Sequence, residues 1–107
     1  MAKVTRYGSI SRLTPEKAAY YKALHADPWK EINEMIKECN IENYSIYFHD
    51  NYLFSYYEYT GEDYEADMAK MAEDPMTQKW WGECVPCMNP LSDQGPWLDM
   101  QEIYHLD

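Results

Sequence analysis

Basic residues are scarce in this chain: Lys and Arg number 9 against 19 Asp and Glu, a formal net charge of -10 over 107 residues. Phosphate backbones are held by basic footprints, so this balance argues against a nucleic acid partner. It disfavours an anionic membrane surface for the same reason. A field of this sign also repels phosphorylated metabolites, which leaves a neutral substrate as the better expectation. No run approaches the length of a membrane span, and the opening Met-Ala-Lys-Val-Thr-Arg-Tyr-Gly lacks an apolar signal core, which points to the cytoplasm. Cysteine is sparse too. Cys39, Cys84 and Cys87 cannot all pair, which fits a reducing compartment. Glycine is rarer than usual, and no phosphate-cradling loop or nucleophile elbow is present. Repeats, low-complexity segments and linkers are missing as well. A chain of this length is expected to form one domain, residues 1–107, around one core.

Aromatic side chains are what the chain has in excess, at 16% of residues and with Tyr alone contributing 11. Tyrosine joins an apolar ring to a polar hydroxyl, so it suits a surface that meets a polyhydroxylated ligand or a partner chain. An aromatic core accounts for part of the same count.

Residues 3–10 read as a first strand. Thr14-Pro15-Glu16 then starts a helix, with Thr as cap, Pro in the first turn and an acid behind it. Tyr21, Leu24 and His25 share one face of that helix. Pro28 interrupts it, because its ring opposes the Leu24 carbonyl and it donates no hydrogen bond. Asp27-Pro28 is then expected to cap a second segment whose Ile32, Met35, Ile36 and Cys39 continue the apolar stripe. Residues 41–49 and 52–60 are the clearest strands, joined tightly through His49-Asp50-Asn51. Tyr44, Ile46 and Phe48 share one side of the first, opposite Ser45, Tyr47 and His49. In the second, Tyr52, Phe54 and Tyr56 oppose Leu53, Tyr57 and Tyr59. Large rings on both sides mean that both faces need cover. Residues 62–73 read as a helix, Asp74-Pro75 starts another bearing Trp80-Trp81, residues 82–97 read as a long loop, and residues 98–106 as a last strand. The result is an α+β domain in the β-α-β-β-α-β, ferredoxin-like order.

For chemistry, Tyr21 and His25 stand out on spacing alone. Residues i and i+4 stack on one helix face, here just before a break where unpaired carbonyls gather negative potential. That setting suits His25 as a proton donor; it equally suits a histidine that caps its own helix. His49 and His105 lack such a setting and read as structural. Trp80 and Trp81 are neighbours about 100° apart on a helix, so one ring is expected in the core and one against a pocket, unless both are core. A Trp face packs on the C–H side of a pyranose and its N–H can donate to a hydroxyl. Cys84-Val-Pro-Cys87 has the C-x-x-C spacing. A zinc site would need two more well-placed ligands, and a redox site wants the motif opening a helix after a strand, so it reads as structural. The chain is expected to use no metal and no cofactor.

Taken in order, these residues resemble the L-rhamnose mutarotase family. Tyr21-Lys22-Ala23-Leu24-His25 matches its first-helix Tyr-x-x-x-His, and Trp29-Lys30-Glu31 its Trp-x-Glu. Asn43-Tyr44-Ser45-Ile46-Tyr47 comes next, then Gln78-Lys79-Trp80-Trp81, and finally Gln101-Glu102-Ile103-Tyr104-His105-Leu106. Two departures stand out: the family usually has Trp-Pro-Glu, whereas the proline here is Pro28, and Cys84 to Trp97 matches loosely. The resemblance implies that His25 is the proton donor and that Tyr21, Tyr44, Trp80 and Trp81 contact a deoxyhexose, L-rhamnose or the related L-fucose. It also implies a homodimer packed through its sheets, a dimeric α+β barrel. Mutarotation opens and recloses a hemiacetal by moving protons; the base stays open among Tyr21, Tyr44, a carboxylate such as Glu31, and water. Cofactor-free monooxygenases and non-catalytic ligand-binding dimers share the fold and remain alternatives.

Overall fold

The computed structural model describes residues 3–107. Its strands are β1 (Thr5–Arg12), β2 (Ile41–His49), β3 (Tyr52–Tyr59) and β4 (Leu98–Met100), and its α-helices are α1 (Ala18–Ala26), α2 (Lys30–Glu38), α3 (Tyr64–Glu73) and α4 (Pro75–Cys84). The strands form one antiparallel sheet in the order β2-β3-β1-β4, with the helices inserted between β1 and β2 and between β3 and β4. That is the α+β, ferredoxin-like arrangement, with each helical segment present as a broken pair.

Both breaks arise from proline. Asp27 precedes Pro28 and is pushed out of the helical region, to φ -139° and ψ 70°, where α1 stops. Asp27 does not cap α2, contrary to expectation: Trp29 holds the cap position, makes no side-chain cap, and its carbonyl accepts from Ile32 N at 3.0 Å. Thr14 likewise takes an extended conformation without a side-chain cap, and Pro15 opens a 3₁₀ turn, Pro15–Lys17, ahead of α1. Asp74, by contrast, does cap: its Oδ2 accepts from Thr77 N at 2.9 Å and from Thr77 Oγ1 at 2.8 Å, with Pro75 in the first turn.

The β2–β3 hairpin turns on Asp50 and Asn51, both at positive φ (51° and 67°), the pair of left-handed residues that a two-residue hairpin turn demands. Further along β2 the register slips between Glu42 and Ser45, and Asn43 sits at φ 51°. This bulge sets two β2 residues against one of β3, so Ile41 and Tyr44 end on the same, helix-facing side although three positions separate them.

Two expected boundaries move. Residues 82–87 continue as helix to Cys84 and as a 3₁₀ turn, Val85–Cys87, because Trp80, Cys84 and Cys87 are all buried and anchor the segment. Gly82 inside α4 meets nothing within 4 Å of a would-be Cβ; an exposed helical glycine costs only about 1 kcal/mol and does not end the helix. The last strand is shorter than residues 98–106. It pairs with β1 only through Leu98, Asp99 and Met100, and the chain from Gln101 on has no regular structure and is exposed. An edge strand has a single neighbour, and here that pairing ends at Gly8; beyond it the Arg6–Glu102 ion pair, Nε to Oε1 at 3.0 Å, ties the tail to β1.

The core lies on one side of the sheet, where Leu13, Tyr21, Ile32, Leu53, Trp80, Cys84, Cys87 and Met88 pack together. Among the described residues, no helix covers the other side. There Tyr47, Phe54, Ile10 and Leu98 are cross-strand neighbours in a single row over all four strands. Tyr47 is 65% exposed, and Phe54, Leu98 and Met100 are exposed as well.

Candidate active site

The site is built on the last turn of α1. Tyr21 and His25 stack with ring centroids 4.2 Å apart, as i and i+4 side chains on one helix face do. His25 Nδ1 lies 2.8 Å from the Tyr21 main-chain oxygen. A carbonyl only accepts, so Nδ1 carries the hydrogen and donates, and Nε2 is left as the nitrogen that can gain or lose a proton. The two readings of this histidine therefore coexist: it ties down its own helix end with one nitrogen and presents the other. Behind it, Trp80 meets the imidazole edge-on at 5.2 Å, and Trp29 meets Trp80 edge-on at 5.1 Å. A ring held on two sides keeps its orientation.

Tyr44 reaches the site from β2. The bulge at Asn43 aims it at the helix side, where it sets its ring against Tyr57 at 5.5 Å. It keeps 42% of its surface exposed, yet dense surroundings at the hydroxyl, aided by Cys84 and Tyr64, push its pKa up to about 12. Tyr21 is 3% exposed, and burial drives its phenol further up, with Cys84 and Tyr44 adding to the effect. Both phenols therefore stay protonated near neutral pH and act as donors. That removes them as candidates for the base. Glu31, the carboxylate considered from sequence, is exposed in the first turn of α2.

Between α1 and the sheet lies a cleft of about 240 Å³ lined by Tyr21, Lys22, His25, Ala26, Ile46, Phe48 and Leu53. Pockets for drug-sized ligands run from roughly 300 to 1,000 Å³, so this one suits something smaller, such as a monosaccharide. A wider hollow on the outer side of α2, among Pro28, Lys30, Asn33, Glu34 and Lys37, is open surface away from these groups. Near the cleft the middle of the sheet carries Ser9, Ser11 and Ser55, all buried, whose short side chains keep that floor low.

Of the residues expected from sequence, Tyr21, His25 and Trp80 pack together, while Tyr44 packs on Tyr57 and is near enough to Tyr21 to raise its phenol further. Trp81 does not join them: it is 41% exposed and, among the described residues, makes none of the ring contacts that Trp80 makes. Neighbouring residues on a helix point about 100° apart, and here the core took Trp80. Sequence reasoning missed the opposite wall of the cleft. Ile46 and Phe48 share the Tyr44 side of β2, which the alternation gave, but their meeting with Lys22 comes only from folding: Lys22 Nζ stands 3.8 Å from the centre of the Phe48 ring. Cys84 and Cys87 are free thiols in the core; burial pushes Cys84 up to about 12 and raises Cys87 as well. Among the described residues no three His, Cys, Asp or Glu side chains are grouped to hold a metal ion, and no helix is long and apolar enough to cross a membrane.

The L-rhamnose mutarotase family matches residues 6–106 of the chain. An L-rhamnose mutarotase of Oceanobacillus iheyensis is 35% identical over 105 residues, covering 95% of this chain and 98% of that protein. Among solved structures, L-rhamnose mutarotase FA22100 from Formosa agariphila superposes with a TM-score of 0.77 at 22% identity, over 96% of this chain and 99% of that one. Tetracenomycin F2 cyclase from Streptomyces glaucescens, a type-II polyketide cyclase, superposes with a TM-score of 0.70 at 14% identity, over 96% and 97%. At such identities the two structures speak for the fold alone, and the second shows that the fold carries other chemistry.

Proposed function

This chain belongs to the L-rhamnose mutarotase family, and from that premise we infer that His25 moves the proton in its reaction. The protein is an isomerase that interconverts the α and β anomers of L-rhamnose. In that reaction the ring oxygen takes up a proton as its bond to the anomeric carbon breaks, and the anomeric hydroxyl gives one up as the aldehyde forms. Rotation and reclosure on the other face reverse both transfers. No electrons leave the sugar and no bond to the protein is required.

The observation that carries the role of His25 is the fixed Nδ1 bond to the Tyr21 carbonyl. It leaves Nε2 as the free nitrogen of a ring that lines the cleft. Protonated Nε2 donates to the ring oxygen, and one positioned acid is worth roughly 10² to 10⁴-fold. Tyr21, Tyr44 and Trp80 hold the sugar around it, the two phenols as donors to its oxygens. Trp81, next to Trp80 on α4 and exposed, is a further sugar contact in this reading. The proton from the anomeric hydroxyl goes to water or to the imidazole once it has given up its own. We place residues 1–107 in the cytoplasm as one mutarotase domain acting on a neutral sugar without metal or cofactor. The test is anomer exchange followed by saturation transfer between anomeric protons of L-rhamnose, L-fucose and other free sugars. Catalytic amounts of protein should accelerate exchange of L-rhamnose; an unaccelerated rate, with the sugar merely bound, would replace the enzyme by a sequestering protein.

The homodimer belongs to the same proposal. The row Tyr47, Phe54, Ile10 and Leu98 crosses the whole uncovered sheet face, with Met100 beside it. Apolar patches this continuous are uncommon on monomers. A second copy laid sheet to sheet closes the dimeric barrel, and obligate interfaces of this kind often exceed about 2,000 Å². Sedimentation at micromolar concentration should give twice the chain mass, and a stable monomer there counts decisively against the dimer.

A further inference from the structure

We propose that the apolar wall formed by Ile46, Phe48 and Leu53 seats the C6 methyl group of the substrate and thereby selects 6-deoxy sugars; this rests on the mutarotase reading above. The cleft has two unlike sides. Tyr21 and His25 bring polar groups from α1, whereas Ile46, Phe48 and Leu53 bring only carbon from the sheet. Bond connectivity then decides what faces that wall. If His25 Nε2 addresses the ring oxygen, the two carbons bonded to that oxygen are C1, which carries the reacting hydroxyl, and C5, which carries C6. The substituent on C5 must lie within a few bonds of the imidazole. The wall that shares the cleft with His25 is the aliphatic and aromatic one.

A methyl group gains by leaving water for such a wall. A hydroxymethyl group in its place loses hydrogen bonds to water and finds no carbonyl, hydroxyl or amide among the wall side chains. The Lys22 ammonium, which also lines the cleft, is placed over the Phe48 ring at 3.8 Å. There it is held by the ring's negative face and keeps that ring in position. Leu53, at 1% exposed, is fixed by the core, so the wall is rigid at its base.

The experiment compares kcat/KM for anomer exchange of L-rhamnose with that of L-mannose, its counterpart bearing a hydroxyl on C6. An apolar pocket discriminates against an added hydroxyl by roughly ten- to a hundredfold, and the protein should favour L-rhamnose within that range. Phe48→Ser and Ile46→Thr should each cut the preference about fivefold or more, mainly by slowing L-rhamnose. Phe48→Leu, which keeps the wall apolar, should retain most of it. Thermal melting and near-ultraviolet circular dichroism check that each variant folds. Rates for the two sugars within twofold in the unaltered protein would overturn the inference, as would folded Phe48→Ser and Ile46→Thr proteins with an unchanged preference. In both of those outcomes L-rhamnose is still exchanged, so the methyl seat falls and the mutarotase reading stands. Exchange of neither sugar removes both.

Discussion

Replacing His25 with Ala is expected to remove most of the catalysed anomer exchange, on the order of a 10² to 10⁴-fold loss. Sugar affinity should stay within about tenfold, equivalent to about 1.4 kcal/mol. The asymmetry comes from what the side chain does. A proton donated as the ring opens stabilises the transition state, whereas Tyr21, Tyr44 and Trp80 hold the sugar before and after, so turnover falls much further than binding. His25 also packs against Tyr21 and Trp80 and bonds its own helix, so alanine removes structure together with chemistry. His25→Asn separates the two. The asparagine side-chain amide can donate to the Tyr21 carbonyl much as Nδ1 does, but it offers nothing in place of Nε2. Both variants should be equally slow in saturation transfer, with calorimetry reporting sugar binding. A folded His25→Asn protein with near-normal exchange would show that the imidazole only ties down the helix.

Leu53→Ala is the substitution expected to cost most stability, about 2–5 kcal/mol. Leu53 is 1% exposed near the start of β3, an inner strand, between Ser11 of β1 and Phe48 of β2, and it packs into the cluster that joins α1, α2 and α4 to the sheet. Truncation leaves a void that β-sheet backbone on both sides cannot close. For a domain of this size each kcal/mol moves the midpoint of thermal unfolding by roughly 4–8 °C. Melting should be compared at one protein concentration, because association shifts the midpoint by mass action. A loss under about 1 kcal/mol would mean that Leu53 does not hold the sheet to the helices.

Sequence legibility tracked how local each signal was. The Pro28 break and the Asp50-Asn51 turn are backbone restrictions written in single residues, and both appeared where expected. The order of elements and the Tyr21–His25 pairing rest on short periodicities and were equally readable. The bulge at Asn43 left no trace. Alternation of Tyr44, Ile46 and Phe48 looks the same with or without it, and only its partner strand reveals that Ile41 shares their side. The end of β4 was illegible for a related reason: Ile103, Tyr104 and Leu106 have the pattern of a strand, but a strand is made by backbone pairing, and the ladder with β1 stops at Gly8–Met100 although Thr5, Arg6 and Tyr7 run on alongside. Trp80 and Trp81 read as a pair sharing two tasks, and which ring entered the core was decided by packing against His25 and Trp29. The Lys22–Phe48 contact joins two elements far apart in the chain, which no window along the sequence contains.

The hydrogen bond that fixes the imidazole ends on a main-chain oxygen, and that has an evolutionary consequence. Every amino acid carries the same main-chain carbonyl, so any helix-compatible residue at position 21 supplies the acceptor. The tautomer of His25 is thus inherited with the helix rather than with a particular side chain. Mutations along the cleft wall can then change which sugar fits while the proton-handling atom stays where it is.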